Sequence, residues 1–175
     1  WFNLSQRKKR AEEAMAIDIR NLGDQFSWGS RVSGVTWDNV HDEGLRAELQ
    51  QLFRDRGFIV FEDMEPTPQM QVELSKVFGP LKDHPTKSTP RTDPDLAEGV
   101  IDMHRPPRGD LGHNHGLVEV NGKLVESFIP WHFDHTYNDE LNYAGVLRSI
   151  VAAPVDGRTG FTCGIELYKA MDPAI

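Results

Sequence analysis

Apolar residues recur at helical spacing in two stretches of the first half of the chain. In each stretch they occupy positions i, i+4, i+7 and i+8, which lie on one face of an α-helix. The first set is Leu45, Leu49, Leu52 and Phe53, and the second is Met70, Leu74, Val77 and Phe78. Gly57 is placed to end the first helix, and Thr67 and Pro68 are placed to begin the second. We interpret both apolar faces as core, with no cofactor role.

Shorter apolar runs predict strands. In these runs apolar residues alternate with small or polar ones, or follow one another directly, as in half-buried and buried strands. The predicted strands cover residues 28–37, 58–62, 99–104, 143–154 and 160–164. The length of the run at 143–154 also leaves a helix open there. Asn121-Gly122 lies between alternating apolar residues and predicts a tight hairpin, because both residues tolerate the positive φ angles of a type I′ turn. A third helix is predicted over residues 165–171.

The first 25 residues are mostly polar and charged and do not share this pattern. They predict a helical N-terminal extension over residues 1–27, followed by one domain over residues 28–175. The two early helices would lie on a mostly antiparallel sheet, which gives an α+β fold class.

The composition limits what the chain is expected to bind. Its 175 residues suit one globular domain, because 38% are apolar and 26% are charged. With 27 acidic and 19 basic residues, the net charge of −8 argues against a nucleic-acid backbone or an anionic membrane as a partner. The basic run at residues 7–10 is followed by Glu12 and Glu13, so we interpret it as a solvated helical face.

Cysteine usage and hydropathy bear on the compartment. Cys163 is the only cysteine, so an internal disulfide cannot form and a reducing, cytoplasmic location is expected. The chain has no run of 18 apolar residues and no apolar signal-peptide core near its N-terminus, so we expect no membrane span. It begins with Trp1 rather than Met, which leaves the native start open.

The segment "PWHFDHTY" at residues 130–137 holds the candidate chemistry. On a strand, His132 and Asp134 would project from one face with their Cα atoms about 6.6 Å apart, and Phe133 would face the other way. An imidazole and a carboxylate at that spacing can bind one metal ion. A distant histidine would complete the 2-His-1-carboxylate triad of non-haem Fe(II) oxygenases. The same pair can also form an ordinary hydrogen bond on a surface strand, and a three-residue pattern recurs by chance.

A longer match surrounds this pair. "WHFDHTY" and "GVLRSIVAAPVDGRTGF" together resemble the iron(II)/2-oxoglutarate-dependent dioxygenases of the taurine dioxygenase and 2,4-dichlorophenoxyacetate dioxygenase family. That family has a Trp-His-x-Asp signature, then a strand, a proline and a Gly-Gly-Asp-Thr-like turn. The turn here is Asp156-Gly157-Arg158-Thr159, and Thr159 follows Asp134 by 25 positions. Upstream, "WGSRVSGV", "LFRDRGFIVFEDMEPTPQM" and "LSKVFGPLKDHP" resemble the family's early elements, so the likeness covers roughly residues 28–175.

The resemblance implies a double-stranded β-helix (jelly roll) flanked by helices, with the metal at its mouth. His132 and Asp134 would be the first two ligands of Fe(II), and the Thr159 hydroxyl would donate to 2-oxoglutarate. The implied reaction is the hydroxylation of a small anionic organic substrate by O₂, with release of succinate and CO₂. A homo-oligomer is compatible with this interpretation, and neither nucleic acid nor a membrane is expected as a partner.

Two further residues of the family pattern have no counterpart here. The third ligand is a histidine on the order of a hundred residues past the turn, and an arginine about ten residues further clamps the 2-oxoglutarate carboxylate in bidentate fashion. Neither falls within residues 1–175. We expect the chain to correspond to the N-terminal half to two-thirds of the enzyme, so that the jelly roll is incomplete.

Other interpretations stay open at this point. His113 and His115, in "GHNHG", could join His132 and Asp134 in a zinc or cupin-type site. His135 adjoins Asp134 but would face the opposite side of a strand. A truncated, inactive fragment that only binds a metal or ligand is the remaining alternative. The letters His-Asn-His also occur in a nuclease motif, but no surrounding pattern supports that function.

Two residues bear on the substrate. In the taurine enzymes, a histidine before a proline in the loop after the second helix binds the sulfonate, and His84 in "LKDHP" holds that position. It could equally be a loop histidine that hydrogen-bonds to the backbone. The taurine enzymes also have an asparagine four residues before the first ligand, where this chain has Phe128. Taurine is therefore disfavoured, and the long stretch from His84 to His132 indicates a remodelled substrate pocket.

Overall fold

The computed structural model describes residues 17–82, 100, 117–126, 131–152, 154–155 and 158–174. The chain divides into two compact units. The first contains the described residues up to Pro80 and from Gly145 onward, and the second contains those between Leu81 and Ala144. Within this described part, no helix is both long and apolar enough to cross a membrane.

Two helices form where the apolar spacing predicts them. Helix α1 spans Glu43–Arg56 and helix α2 spans Pro68–Val77. Each begins at a side-chain cap, because the oxygens of Asp42 and Thr67 accept hydrogen bonds from backbone amides three residues further on. α1 ends at Gly57, whose φ of 70° lies in the left-handed region that glycine adopts at little cost. The local signals for both helices are confirmed.

A three-stranded mixed sheet lies in the same unit. Its strands are β1 (Asp18–Asn21), β2 (Ser30–Ser33) and β3 (Ile59–Phe61), in that order across the sheet. β1 pairs antiparallel with β2, and β2 pairs parallel with β3. The parallel pair follows from the chain path, since α1 separates β2 from β3 and serves as the crossover that a parallel connection requires.

The core of this unit joins the two helices to the sheet. Its buried members are Val32, Val35, Val40, Leu45, Leu49, Met70, Leu74 and Val77. Leu52 and Phe78 pack against the cluster while partly exposed. Both helical stripes are thus core, as predicted.

The second unit contains a hairpin at the predicted place. Strands β4 (Leu117–Val120) and β5 (Lys123–Glu126) pair antiparallel around Asn121-Gly122. Asn121 has φ 52° and Gly122 has φ 73°, the two positive values of a type I′ turn. The hairpin is therefore confirmed.

Two predicted strands are wrong. The described residues of 143–154 are irregular. Of the predicted strand at 160–164, residues 160–163 are irregular and Gly164 begins a helix. Apolar character alone does not make a strand, because each strand needs a neighbour to receive its backbone hydrogen bonds. In the described part of the chain, neither segment has one. The helix predicted next is confirmed as α3, Gly164–Ala170.

The helix expected in the N-terminal extension is wrong for residues 18–21, which form β1. Ile17 and Ile19 alternate with charged residues there, and this period-2 pattern fits the strand that pairs with β2. The boundary between residues 27 and 28 stays a prediction. The strand at 99–104, apart from residue 100, and the basic run at 7–10 lie outside the described residues. The described helices and sheets are compatible with a jelly roll but do not by themselves form one.

Candidate metal centre

His132 and Asp134 lie in a turn-rich segment over residues 131–140. The backbone amide of Asn138 donates to the carbonyl of His135 at 3.0 Å, and His135 adopts a left-handed φ of 62°. The chain therefore bends directly after Asp134. The strand predicted for His132-x-Asp134 is wrong, because the turn redirects the backbone before a ladder can form.

The two side chains nevertheless meet as the spacing predicted. Nε2 of His132 lies 2.9 Å from Oδ1 of Asp134. Two donors bound to one ion at right angles, with bonds of about 2.1 Å, are themselves about 3.0 Å apart. The same 2.9 Å is also the length of a hydrogen bond between the two side chains, so the distance is compatible with both interpretations of the pair. An imidazole nitrogen with a carboxylate oxygen is also a donor set that suits Fe(II).

The pair is open to solvent. The side chain of His132 is 54% exposed and that of Asp134 is 76% exposed. Three aromatic side chains in the same segment, those of Trp131, Phe133 and Tyr137, are more than half exposed as well. A metal ion can reach the pair, and an aromatic ligand would find apolar surface beside it.

A complete ligand set is not found in the described residues. No group of three or more His, Cys, Asp or Glu side chains there is arranged to hold a metal. If His132 and Asp134 bind a metal, the other protein ligands would have to come from outside the described part of the chain.

Several residues singled out from the sequence cannot be placed. His84, Phe128, His113 and His115 all lie outside the described residues. The substrate-binding roles of the first two, and the rival zinc site that needs the last two, stay predictions.

Thr159 is placed, in the first unit. It is exposed in the irregular segment that leads to α3. Two residues later, the ring of Phe161 packs on that of Phe58 with centroids 4.5 Å apart. Cys163 caps α3, and its carbonyl accepts from the Leu167 amide at 2.9 Å. Thr159, the residue expected to bind 2-oxoglutarate, thus lies on a segment that is anchored at its C-terminal side.

Helix α3 carries a charged pair, Glu166 and Lys169. The pKa of the Glu166 carboxyl lies below its ordinary value, chiefly because Lys169 hydrogen-bonds to it, at 3.0 Å, and to a smaller extent because of a hydrogen bond from Ser27.

The sequence analysis missed Arg148, which holds the segment before Thr159. Its Nε donates to Oε1 of Gln71 at 3.0 Å and its Nη1 donates to the Pro66 carbonyl at 2.9 Å. Gln71 in turn donates to the carbonyl of Val146 at 3.4 Å. The sequence signal for this role is a single arginine within an otherwise apolar run. Such a position indicates that the arginine side chain has a specific partner in the protein and is not simply solvated.

Comparisons with known proteins agree with the motifs. The chain is 28% identical over 157 residues to the (S)-phenoxypropionate/alpha-ketoglutarate-dioxygenase of Sphingobium herbicidovorans, a match that covers 90% of this chain and 48% of the relative. It is 24% identical over 146 residues to the protein of that name from Delftia acidovorans, covering 83% of this chain and 47% of the relative. The chain thus spans about half the length of the curated relatives it matches. No solved structure matches it.

A family model matches nearly all of the chain. The model is that of the taurine catabolism dioxygenase TauD, TfdA family, and it covers residues 18–175. This range includes β1 as well as the histidine, aspartate and threonine of the candidate site. The protein therefore belongs to the family described as taurine catabolism dioxygenase TauD, TfdA.

Proposed function

We propose that the protein is an Fe(II)- and 2-oxoglutarate-dependent dioxygenase that hydroxylates a small anionic organic molecule, with release of succinate and CO₂. The observation that carries the proposal is the 2.9 Å separation between Nε2 of His132 and Oδ1 of Asp134. Family membership supports it, because enzymes of this family use Fe(II) and 2-oxoglutarate. For the whole protein we propose the double-stranded β-helix of that family.

The residues of this chain have separate parts in the proposed reaction. His132 and Asp134 hold the metal, and Thr159 donates its hydroxyl hydrogen to a carboxylate of 2-oxoglutarate. His84 donates to the anionic group of the substrate and so orients the carbon that is to be hydroxylated. Fe(II) bound at the pair would supply O₂ activation coupled to the decarboxylation of 2-oxoglutarate.

We propose an aryloxy carboxylate as the substrate class. Phenoxypropionate appears in the names of both matched relatives and combines an aromatic ring with a carboxylate. The exposed rings of Trp131, Phe133 and Tyr137 offer surfaces for an aromatic substrate beside the candidate ligands. Phe128, in the position where the taurine enzymes have asparagine, weighs against taurine.

Turnover of 2-oxoglutarate tests the reaction type. The protein in its full encoded length, supplied with Fe(II), O₂ and (S)-phenoxypropionate, is expected to form succinate, and His132→Ala is expected to abolish this. The matched control is His41→Ala, because His41 is also a half-exposed histidine beside a carboxylate, with Nδ1 3.6 Å from Oε2 of Glu73. Normal turnover by His132→Ala would rule out the ligand assignment.

A substrate comparison tests the substrate class. Succinate formation is measured with (S)-phenoxypropionate, with phenoxyethanol, which lacks the carboxylate, and with taurine. We expect the first to exceed the other two by at least about tenfold, since each missing charged contact weakens binding by that order. Equal rates with taurine and phenoxypropionate would contradict the proposed class and leave the reaction type intact.

A further inference from the structure

Four aromatic rings form a row that ends beside the segment of Thr159. Phe161 packs on Phe58 with centroids 4.5 Å apart, and Phe58 meets the edge of Trp28 at 5.9 Å. Trp28 in turn lies 5.6 Å from Phe26. Such tilted and edge-on pairs are attractive beyond the area that they bury. We call these four residues the aromatic row.

The aromatic row is also held in place at Trp28. Arg56, the last residue of α1, donates from Nη1 to the carbonyl of Ser27 and from Nη2 to the carbonyl of Gly29, both at 3.0 Å. The Gly29 amide donates to the Arg56 carbonyl at 2.9 Å. The backbone on both sides of Trp28 is therefore held by the end of a helix whose own apolar face is core.

Phe58 is fixed as well. Its carbonyl accepts from the Ser30 amide at 2.9 Å, at the point where the β2–β3 pairing begins. Phe161 thus packs on the ring of a residue that directly precedes β3 and is hydrogen-bonded to β2. The ring of Phe161 is 46% exposed, so its contact with Phe58 is an anchor at the surface rather than part of the buried core.

We propose that Phe161 is a positioning residue for Thr159, and that its contact with Phe58 sets the affinity of the protein for 2-oxoglutarate. Only Gly160 separates the two residues, and glycine alone gives this stretch little stiffness. The direction of the Thr159 hydroxyl then depends on where the Phe161 ring holds the chain. The inference rests on the proposed function for the identity of the ligand, 2-oxoglutarate. The anchoring of the segment by Phe161 does not depend on that function.

Backbone ¹⁵N relaxation tests the anchoring without any ligand. Phe161→Ala is expected to lower the order parameters of the Thr159 and Gly160 amides below about 0.6, the range of flexible backbone, whereas Phe161→Tyr, which keeps a ring, should match the wild type. Tyr168→Ala is the matched control, because Tyr168 is an aromatic residue of α3 with 78% of its surface exposed. Unchanged order parameters in Phe161→Ala would overturn the inference whatever the ligand does.

A double-mutant cycle tests the link to 2-oxoglutarate. Its dissociation constant is measured by calorimetry in the full-length protein loaded with Fe(II) in the absence of O₂. We expect Thr159→Ala and Phe161→Ala each to weaken binding about tenfold, and the double variant to be no weaker than Thr159→Ala alone, because Phe161 acts through Thr159. Phe161→Tyr should retain wild-type affinity.

The outcomes separate the two proposals. If Thr159→Ala weakens binding and Phe161→Ala does not, or if the two effects multiply, the inference is overturned while the proposed function stands. If Thr159→Ala leaves the dissociation constant unchanged, the proposed role of Thr159 is wrong. The relaxation experiment then still decides whether Phe161 anchors the segment.

Discussion

At the scale of single residues, the candidate centre depends on side chains that meet although their backbone is not a strand. His132 and Asp134 are two positions apart, and the turn that closes between His135 and Asn138 follows them at once. A turn can bring i and i+2 side chains together as well as a strand can, because only their directions and not the ladder are needed. The prediction of convergence was therefore right, although the element assumed for it was wrong.

His84 carries the first prediction at this scale. It precedes Pro85, and we propose that it binds the substrate anion, as a histidine before a proline does in the taurine enzymes. His84→Ala should remove one charge-assisted hydrogen bond of about 1.5–3 kcal/mol and raise the KM for the primary substrate about tenfold to a hundredfold. The KM for 2-oxoglutarate should not change. Equal losses for both molecules would return His84 to a structural role in its loop.

Arg148 carries the second prediction at the scale of single residues. Its hydrogen bonds to Gln71 and to the Pro66 carbonyl join the irregular segment after residue 145 to α2 and the loop before it. Arg148→Ala should lower the free energy of unfolding by about 1–2 kcal/mol, measured by urea denaturation. Arg54→Ala is the control, since Arg54 hydrogen-bonds only to Gln51 within its own helix as far as the described contacts show, and it should cost less than about 0.5 kcal/mol. Equal effects would contradict the anchoring role.

At the scale of elements, α2 carries a pH-dependent contribution to stability. The Lys76 hydrogen bond to Glu73, at 2.7 Å, is the main reason why the pKa of the Glu73 carboxyl lies below its ordinary value, and the charges of Lys76, His41 and Arg46 add to it. A carboxyl whose pKa is lowered on folding stabilises the folded state in its charged form. This contribution is complete above the pKa of the unfolded chain and is lost as the pH falls through the folded pKa.

Glu73→Gln tests this contribution. The variant should be less stable than the wild type near pH 7, and the difference should shrink as the pH falls through the folded pKa of the carboxyl, below which the wild type is protonated as well. Glu48→Gln, which replaces an exposed glutamate on α1, should keep the wild-type pH dependence. The measurement is the free energy of unfolding by denaturant across that pH range. A difference that stays constant with pH would show that the Glu73 charge is not its cause.

Elements with local signals could be predicted from the sequence, and elements that depend on distant partners could not. α1 and α2 follow from apolar spacing within a few residues, from caps and from Gly57, all of which are readable along the chain. The predicted strand at 143–154 has the right apolar content but no described neighbour to pair with. The contact of Phe161 with Phe58 joins residues about a hundred positions apart, and no local pattern indicates it.

At the scale of the whole molecule, the later part of the first unit exposes large apolar side chains. The most exposed lie on the irregular segment and on α3, and they are Leu147, Ile150, Val151, Val155, Ile165, Leu167 and Tyr168. Val151 is 87% exposed. So many exposed apolar side chains in one part of a chain are uncommon on the free surface of a soluble monomer.

The 175-residue chain on its own is therefore expected to bind a dye that reports apolar surface and to aggregate as its concentration rises. A double substitution, Ile150→Ser with Val151→Ser, should lower the dye signal, because it removes two of the exposed groups. Ser149→Asn, at an exposed polar position beside them, should leave the signal unchanged. A wild-type chain that binds no dye would show that these side chains are covered in solution.

Iron affinity tests the central claim most directly, which is that His132 and Asp134 are two ligands of one Fe(II) ion. The full-length protein is dialysed against Fe(II) without O₂, and the bound metal is determined for the wild type, Asp134→Ala and the control Asp139→Ala, which removes an exposed carboxylate of the same segment. We expect about one Fe(II) per chain in the wild type and the control, and at least about tenfold weaker binding in Asp134→Ala. Wild-type affinity in Asp134→Ala would contradict the account.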